Sequence, residues 1–395
     1  MDILHIFPTT LEHQSRLFKE IEYVLENGIA ERVTVLGLKH NQQPVVEERR
    51  DGLTVMRVAT TLRNLRAEGR EPKTRILQRL LAVYGLIQYS LAAVRVARTS
   101  KFAYISCHYN TFLPLATFVA RTAGAKLVYL PHELETERSG LSGLRKRLEK
   151  RIESLFIGQV EHTVVVSRRI ERWYRERYGV TAIGTVRNMP SMAAVKSPLQ
   201  PISTLRTRFG IPDSAIVYIY LGMLDSSRAI GPILDAFAEI ECTKAHLILM
   251  GYGEPAIRRK VEEYSKVKRN IDFLDAVPMD QVIPCAAQAD VGLCLSTSDC
   301  LSHTYSMPNK FFEYINAGLP IVVSSNLILL TEDIRDYNLG WSVHVSELKS
   351  LLECIDVEEI ERRHRSVSRF ASSCYWENDA AYFWKVYGQQ SVVTP

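Results

Sequence analysis

The sequence predicts two doubly wound α/β domains, each a parallel sheet flanked by helices. Three observations point to this fold class. Short β-branched apolar runs alternate with longer stretches of helical spacing, the pattern of strand–helix–strand units. The alternation forms two separate series, one in each half of the chain. Between them, residues 187–212 concentrate Pro, Ser and Gly around one short periodic piece, which is linker composition. At about 150 residues per domain, the 395-residue length suits two such units, each large enough to bury its own core. The expected division is 1–188, a linker at 189–212, a second domain at 213–372 and a terminal segment at 373–395.

The elements follow in order. Met1-Asp2-Ile3-Leu4-His5-Ile6-Phe7-Pro8 is an acid followed by an apolar run, a short buried strand and not a secretory signal. Further strands are expected at 32–37, 53–58, 103–107, 126–130 and 163–166, with helical spacing at 11–27, 75–99, 112–123 and 144–157. In the second half, strands are expected at 215–221, 245–250, 271–274, 290–295 and 320–323. Helices should fill 229–240, 255–267, 279–288, 308–317 and 346–353. There is no internal repeat and no low-complexity segment.

A composition of 46% hydrophobic and 24% charged residues excludes a disordered tail, a collagen-like repeat and a membrane bundle. The seven cysteines are scattered, with no C-x-x-C pair, which reads as a reduced cytosolic compartment. The apolar, uncharged run between Arg79 and Arg95 holds 15 residues, and a spanning helix needs about 20, so no membrane span is expected. Two stretches are basic: Arg57, Arg63, Arg66, Arg70, Lys73, Arg75 and Arg79, then Arg145, Lys146, Arg147, Lys150 and Arg151. Each reads as a solvated helix face or as a surface for anionic lipid headgroups, since Leu80, Leu81, Val83 and Tyr84 follow the first directly. Nucleic acid is not expected as a partner, because no such motif accompanies a net charge of only +5.

The chemistry concentrates in 296–326. An apolar strand runs into a polar loop, Ser306-Met307-Pro308 opens a helix with Pro in its first turn, and Gly318-Leu319-Pro320 stops it before another buried strand. A helix N-terminus beyond a strand's carboxyl end is where open α/β sheets bind ligands, and its unpaired amides favour phosphate. Lys310 adds charge in the first turn, and Glu313, one turn on, is placed to accept ribose hydroxyls. The spacing reads equally as a surface Lys310–Glu313 ion pair.

Segment 306–323 closely resembles the signature of retaining glycosyltransferases of the two-domain GT-B fold, in the family called GT4. Other blocks match in the same order: His132-Glu133-Leu134-Glu135, Val164-Val165-Val166-Ser167 with a helix to Tyr178-Gly179, and Val186-Arg187-Asn188-Met189-Pro190. Tyr218-Ile219-Tyr220-Leu221-Gly222 with Arg228 beyond it, Leu249-Met250-Gly251-Tyr252-Gly253 and Tyr375-Trp376-Glu377 complete the set. The resemblance covers nearly the whole chain, and 306–323 is its specific part. It implies two Rossmann-like domains facing an interdomain cleft, with the terminal segment packing back across them.

The resemblance also implies roles. Arg228 and Lys310 would neutralise the donor pyrophosphate and Glu313 would hold the ribose, with Tyr305, Ser306, Met307, Pro308, Asn309, Gly222 and Gly251 around the nucleotide sugar. Backbone of the 276–278 loop, at Val277, would face the nucleobase. His132 would contact the donor sugar; without the family it reads as a loop histidine held by backbone. Glu133 and Glu135 would hold an acceptor hydroxyl, or are acids that suit a helix start. Thr9, Thr10 and His108 are expected on the acceptor side, His108 alternatively as packing. No cofactor and no metal are expected, the family generally doing without one, and no Asp-x-Asp motif occurs.

Two departures stand out. Tyr305 occupies the position, eight before Glu313, where the family often has an acid that contacts the sugar. The first loop, Phe7-Pro8-Thr9-Thr10-Leu11, lacks the usual glycine pair that lets backbone approach the donor. The expected activity is transfer of a sugar from a nucleotide diphosphate to a glycan or glycolipid hydroxyl, in cell-surface polysaccharide or glycoconjugate synthesis. The protein would be cytoplasmic and peripheral on the inner membrane face. Two other readings remain: a degenerate nucleotide-sugar-binding partner subunit, and a sugar-nucleotide epimerase of the same architecture.

Overall fold

The structure, a computed structural model, describes residues 1–12, 14–40, 42–70, 72–196 and 204–388. Part of the expected linker, 197–203, and the end of the expected terminal segment, 389–395, lie outside the described residues. The chain forms two compact units, Met1–Val186 with the residues from Ala380 onward, and Arg187–Asp379.

The first unit holds β1 (Asp2–Ile6), β2 (Arg32–Leu38), β3 (Val46–Arg50), β4 (Leu53–Val58), β5 (Tyr104–Cys107), β6 (Lys126–Tyr129), β7 (His162–Val165) and β8 (Ile183–Thr185). They form one sheet in the order β3-β4-β2-β1-β5-β6-β7-β8. Every pair is parallel except β3–β4. β3 (Val-Glu-Glu-Arg-Arg) departs from the expected all-parallel pattern; its charges suit a solvated edge strand and gave no apolar signal. The central strands β1 and β5 are buried along their whole length, as sheets covered by helices on both faces require.

The Arg75–Thr99 helix is 25 residues long, and by length and composition it could cross a membrane. The 15-residue uncharged run understated it, because the helix continues through the arginines at either end. It is docked on the unit: the Tyr89 hydroxyl donates to the Leu36 carbonyl at 2.6 Å, and Ala93 and Ala97 are buried. Its other face leaves Ile76, Leu80, Val83 and Leu91 exposed. Near the chain's end, the Tyr382–Tyr387 helix belongs to this unit. Tyr387 donates to Glu20 at 2.9 Å and shares a 2.9 Å hydrogen bond with Ser106. Burial pushes the Glu20 carboxyl up to about 7 against the pull of the Tyr387 hydroxyl.

The second unit holds β9 (Ile216–Leu224), β10 (Ala245–Gly253), β11 (Ile271–Asp275), β12 (Val291–Cys294), β13 (Ile321–Ser324) and β14 (Gly340–Val343). These form a parallel sheet in the order β11-β10-β9-β12-β13-β14. Along β9, Val217, Ile219 and Leu221 enter one apolar layer with Phe311 and Ile315 of the Asn309–Asn316 helix. Tyr218 and Tyr220 enter the opposite layer with Ile233 and Phe237 of the Ile230–Ala238 helix. The period of two is what a strand covered on both faces demands. In both sheets the strand order reverses beside the first strand, between β1 and β5 and between β9 and β12. Open α/β sheets bind ligands at the carboxyl ends of such pairs.

Candidate functional site

In the second unit, β9 and β12 pair only at Tyr218–Val291 and Ile219–Gly292, while β9 runs on to Leu224. Beyond that the strands part, and the Tyr314 hydroxyl fills the gap. It accepts from the Leu221 amide at 2.8 Å and donates to the Leu293 carbonyl at 3.0 Å, so both backbone groups are satisfied across the opening. Gly292 makes the room, since a Cβ there would sit 2.4 Å from the Tyr314 ring.

Lys310 lies one turn before Tyr314 on the same helix. It is 8% exposed, so it is no surface lysine, and its ammonium sits 3.7 Å from the centre of the Tyr220 ring. Burial pulls its pKa down to about 8; Cys294 opposes the shift and the nearby Arg228 adds to it. The helix begins one residue later than expected: Pro308 is its N-cap and makes no side-chain capping bond, so no side chain covers the first-turn amides from that position. Gly222 has φ +105°, beside the lysine stem, and a Cβ on Gly251 would fall 1.9 Å from the Gly222 carbonyl oxygen. Neither position tolerates a side chain.

Arg228 ends a short turn after β9, Ser226–Arg228, and its Nε is 3.5 Å from Asp225. The other Asp225 oxygen accepts from the Ser227 amide at 2.8 Å. The Ser227 carbonyl accepts from Ser296 Oγ at 3.1 Å and from the Thr297 amide at 3.0 Å, tying the arginine loop to the loop after β12. That second loop contains a helical turn, Leu301–Thr304, where the sequence suggested only polar loop. Ser306 Oγ donates to the His303 carbonyl at 2.8 Å, and Met307 is buried in the apolar layer. Asn309 Oδ1 accepts from Asn188 Nδ2 at 2.7 Å. Glu313 and Tyr305 are half-buried, and Val277 rests against the core at the end of β11. Arg228, Lys310, Gly222, Gly251 and Val277 thus gather at the carboxyl ends of adjacent strands. Ser306 and Met307 support the loop.

The corresponding place in the first unit holds three imidazoles. His5 on β1 and His108 after β5 are buried, and His132 after β6 is half-buried. His5 Nδ1 is 2.9 Å from His108 Nε2, and His108 Nδ1 is 3.1 Å from His132 Nε2. The Phe7 ring lies against His108 and His132, at centroid distances of 4.7 and 5.6 Å. Burial lowers all three pKa values, to about 3 for His5 and His132 and well below the usual value for His108. All three rings are neutral at neutral pH. Glu135, expected near an acceptor, is buried, 3.5 Å from Arg138 and pushed up to about 8 by burial; Glu133 is half-buried. Thr9 Oγ1 accepts from the amide of Leu11, whose φ of +64° turns the loop, so this hydroxyl supports its own loop; Thr10 is half-buried. Sequence reading missed His5, Tyr220 and Tyr314. The one available signal was a lone histidine inside an apolar strand.

The family model "Glycosyl transferases group 1" matches residues 215–356, and "Glycosyltransferase Family 4" matches 32–189. A lipopolysaccharide 1,2-N-acetylglucosaminetransferase of Salmonella typhimurium is 25% identical over 120 residues, which is 30% of this chain and 31% of that protein. The match therefore spans about a third of the curated relative's length. Among solved structures, sucrose-phosphate synthase of Thermosynechococcus elongatus is similar over 100% of both chains, with TM-score 0.74 and 14% identity. Anabaena HepE in complex with UDP-glucose is similar over 98% of this chain and 99% of its own, with TM-score 0.70 and 15% identity. WaaG, a glycosyltransferase involved in lipopolysaccharide biosynthesis, covers 98% of this chain and 100% of its own, with TM-score 0.65 and 12% identity.

Proposed function

We propose that this chain, which belongs to the GT4-like glycosyltransferases of GT-B fold, is a retaining, metal-independent transferase that moves a sugar from a nucleoside diphosphate to a glycan or glycolipid hydroxyl. One observation carries the reading: a buried lysine and an arginine meet at an uncapped helix N-terminus beside parted strands. Breaking a sugar–phosphate bond builds negative charge on the leaving diphosphate. Lys310, Arg228 and the first-turn amides of Asn309 and Lys310 are fixed where that charge would develop, so they need little reorganisation as it forms. The diphosphate also restores a full charge to a lysine that burial has weakened. Glu313 accepts the ribose hydroxyls, and His132 contacts the donor sugar. Support for the donor class comes from HepE, which is solved with UDP and with UDP-glucose. Support for a cell-surface product comes from the Salmonella relative.

The same reading puts the protein on the cytoplasmic face of a membrane. The Arg75–Thr99 helix exposes an apolar face, and Leu144, Leu148, Arg147 and Arg151 line one groove along the Gly143–Phe156 helix. Leucines beside arginines suit an interface rich in anionic headgroups. Co-flotation with anionic but not with zwitterionic vesicles is expected, and absence of flotation with both removes this part of the reading.

The function is tested by thermal shift against UDP, GDP, ADP, CMP and their sugar conjugates, in magnesium and in EDTA. One nucleoside diphosphate should raise Tm in EDTA, which also identifies the base. If none does, the donor site assigned here is wrong.

A further inference from the structure

The imidazole string in the first unit carries information that none of its rings carries alone. A neutral imidazole has one N–H and one lone pair. Each of the two contacts, His5 Nδ1 to His108 Nε2 and His108 Nδ1 to His132 Nε2, needs one donor and one acceptor. Choosing the tautomer of any ring therefore fixes the other two. Only two arrangements of the whole string exist. In one, every ring carries its proton on Nδ1; in the other, every ring carries it on Nε2.

The inner end decides between them. His5 Nε2 is buried and has no hydrogen-bond partner among the described residues. The all-Nε2 arrangement would place an N–H there, whereas the all-Nδ1 arrangement leaves a lone pair. A buried N–H without a partner is the rarer and costlier defect. The string does not resemble a metal site, because the rings are bonded in series and share no common point. Among the described residues no group of three His, Cys, Asp or Glu side chains is placed to hold a metal ion.

We infer that His5 and His108 are positioning residues that fix His132 as its Nδ1–H tautomer, so that His132 meets the donor sugar as a hydrogen-bond donor and not as an acid or a base. Nδ1 is the ring nitrogen of His132 that the string leaves over. Phe7 on one side and Tyr109, stacked 6.2 Å from the His132 ring at 27°, hold the ring's plane. Desolvation of all three rings, with Arg16 as the nearby positive charge on His108 and His132, keeps a second proton off the string. What His132 touches rests on the transferase reading; its tautomer does not.

The test is long-range ¹H–¹⁵N correlation on full-length protein with labelled histidine at pH 7.5, the His132 signals being assigned by their loss in His132→Gln. The expected result is one species with a protonated Nδ1 and an unprotonated Nε2. A protonated Nε2, or an average of both tautomers, overturns the inference, and this wild-type spectrum does not depend on any variant folding. In His5→Leu the inner donor is gone. His132 should then show both tautomers, and kcat should fall about tenfold, the loss of one hydrogen bond, with nucleotide affinity unchanged. His5→Asn, whose amide donates from near the Nδ1 position, should restore both. An unchanged His132 spectrum in His5→Leu would show that His5 fills space only. A fixed Nδ1–H tautomer in a protein that turns over no nucleotide sugar would leave the string standing and sink the transferase reading.

Discussion

The two strand-order reversals have the same topology and opposite fillings. Between β1 and β5 the strands stay paired to their ends, through Ile6–Cys107, and Phe7 with the imidazoles closes the space above. Between β9 and β12 the pairing stops after two residue pairs, and Tyr314 props the strands open. The closed end keeps its titratable rings neutral; the open end keeps Lys310 and Arg228 around an uncapped helix. A fold of this kind therefore does not by itself determine the chemistry at its reversal point. A few side chains at the first break in pairing do so, making the second unit the one suited to hold an anion and the first the one suited to orient a neutral group.

The largest effect should come from removing the charge at the open end. Lys310→Met keeps the stem against Tyr220 but deletes the ammonium, and turnover should fall on the order of 10²–10³-fold. Stability should not fall with it. A lysine lowered from 10.5 to about 8 carries roughly 3 kcal/mol against its charged form, at about 1.4 kcal/mol per unit. Because the folded state holds that proton more weakly than the unfolded chain, the wild type should gain stability as pH rises from 8 towards 10.5, and the variant should lack this gain. Equal rates for the two proteins would remove Lys310 from the mechanism. Glu313→Gln comes next: nucleotide affinity should weaken about 10- to 100-fold, the cost of stranding a charged ribose contact. Titration calorimetry with the nucleoside diphosphate and its 2′-deoxy analogue checks it, and the variant should no longer tell the two apart.

How much of this contrast was readable in advance follows from where its parts lie in the chain. The Arg75–Thr99 and Pro255–Val267 helices appear with the expected ends, because a long helical stretch is a local signal, whether apolar nearly all round as in the first or amphipathic as in the second. The block around Lys310 and Glu313 was readable for the same reason: strand, loop, helix and strand are contiguous there. β3 was missed because an exposed edge strand of Glu and Arg has no apolar alternation, and β8 (Ile-Gly-Thr) and β14 (Gly-Trp-Ser-Val) because Gly, Thr and Ser break the apolar run that marked the other short strands. The imidazole string was legible only as separate pieces: His108 and His132 were expected at the site, but neither His5 nor the bonds that join the three were. His5, His108 and His132 are 103 and 24 residues apart in sequence, and only the strand order brings them together. Tyr314 likewise looks like any helix-face aromatic until β9 and β12 are seen to part.

The two smaller predictions sharpen the contrast without destroying the site. Free Lys310 is half-neutral at about pH 8, while bound diphosphate requires it charged, so binding takes up a proton above that pH. Affinity for the nucleoside diphosphate should therefore fall up to about tenfold per pH unit between pH 8.5 and 10, and in Lys310→Met this slope should vanish. The histidine string should add no slope between pH 6 and 8, because its members stay neutral throughout. Tyr314→Phe addresses the opening itself. Removing the hydroxyl leaves the Leu221 amide and the Leu293 carbonyl without their partner, which should cost about 1–3 kcal/mol of stability. It leaves Lys310, Arg228 and Glu313 in place, so affinity should change by less than about threefold. A loss of binding as large as that of Lys310→Met would show that the parted strands hold the nucleotide directly. A stability change near zero would show that the strands part for reasons other than Tyr314, and that the hydroxyl only occupies a gap the backbone has already made.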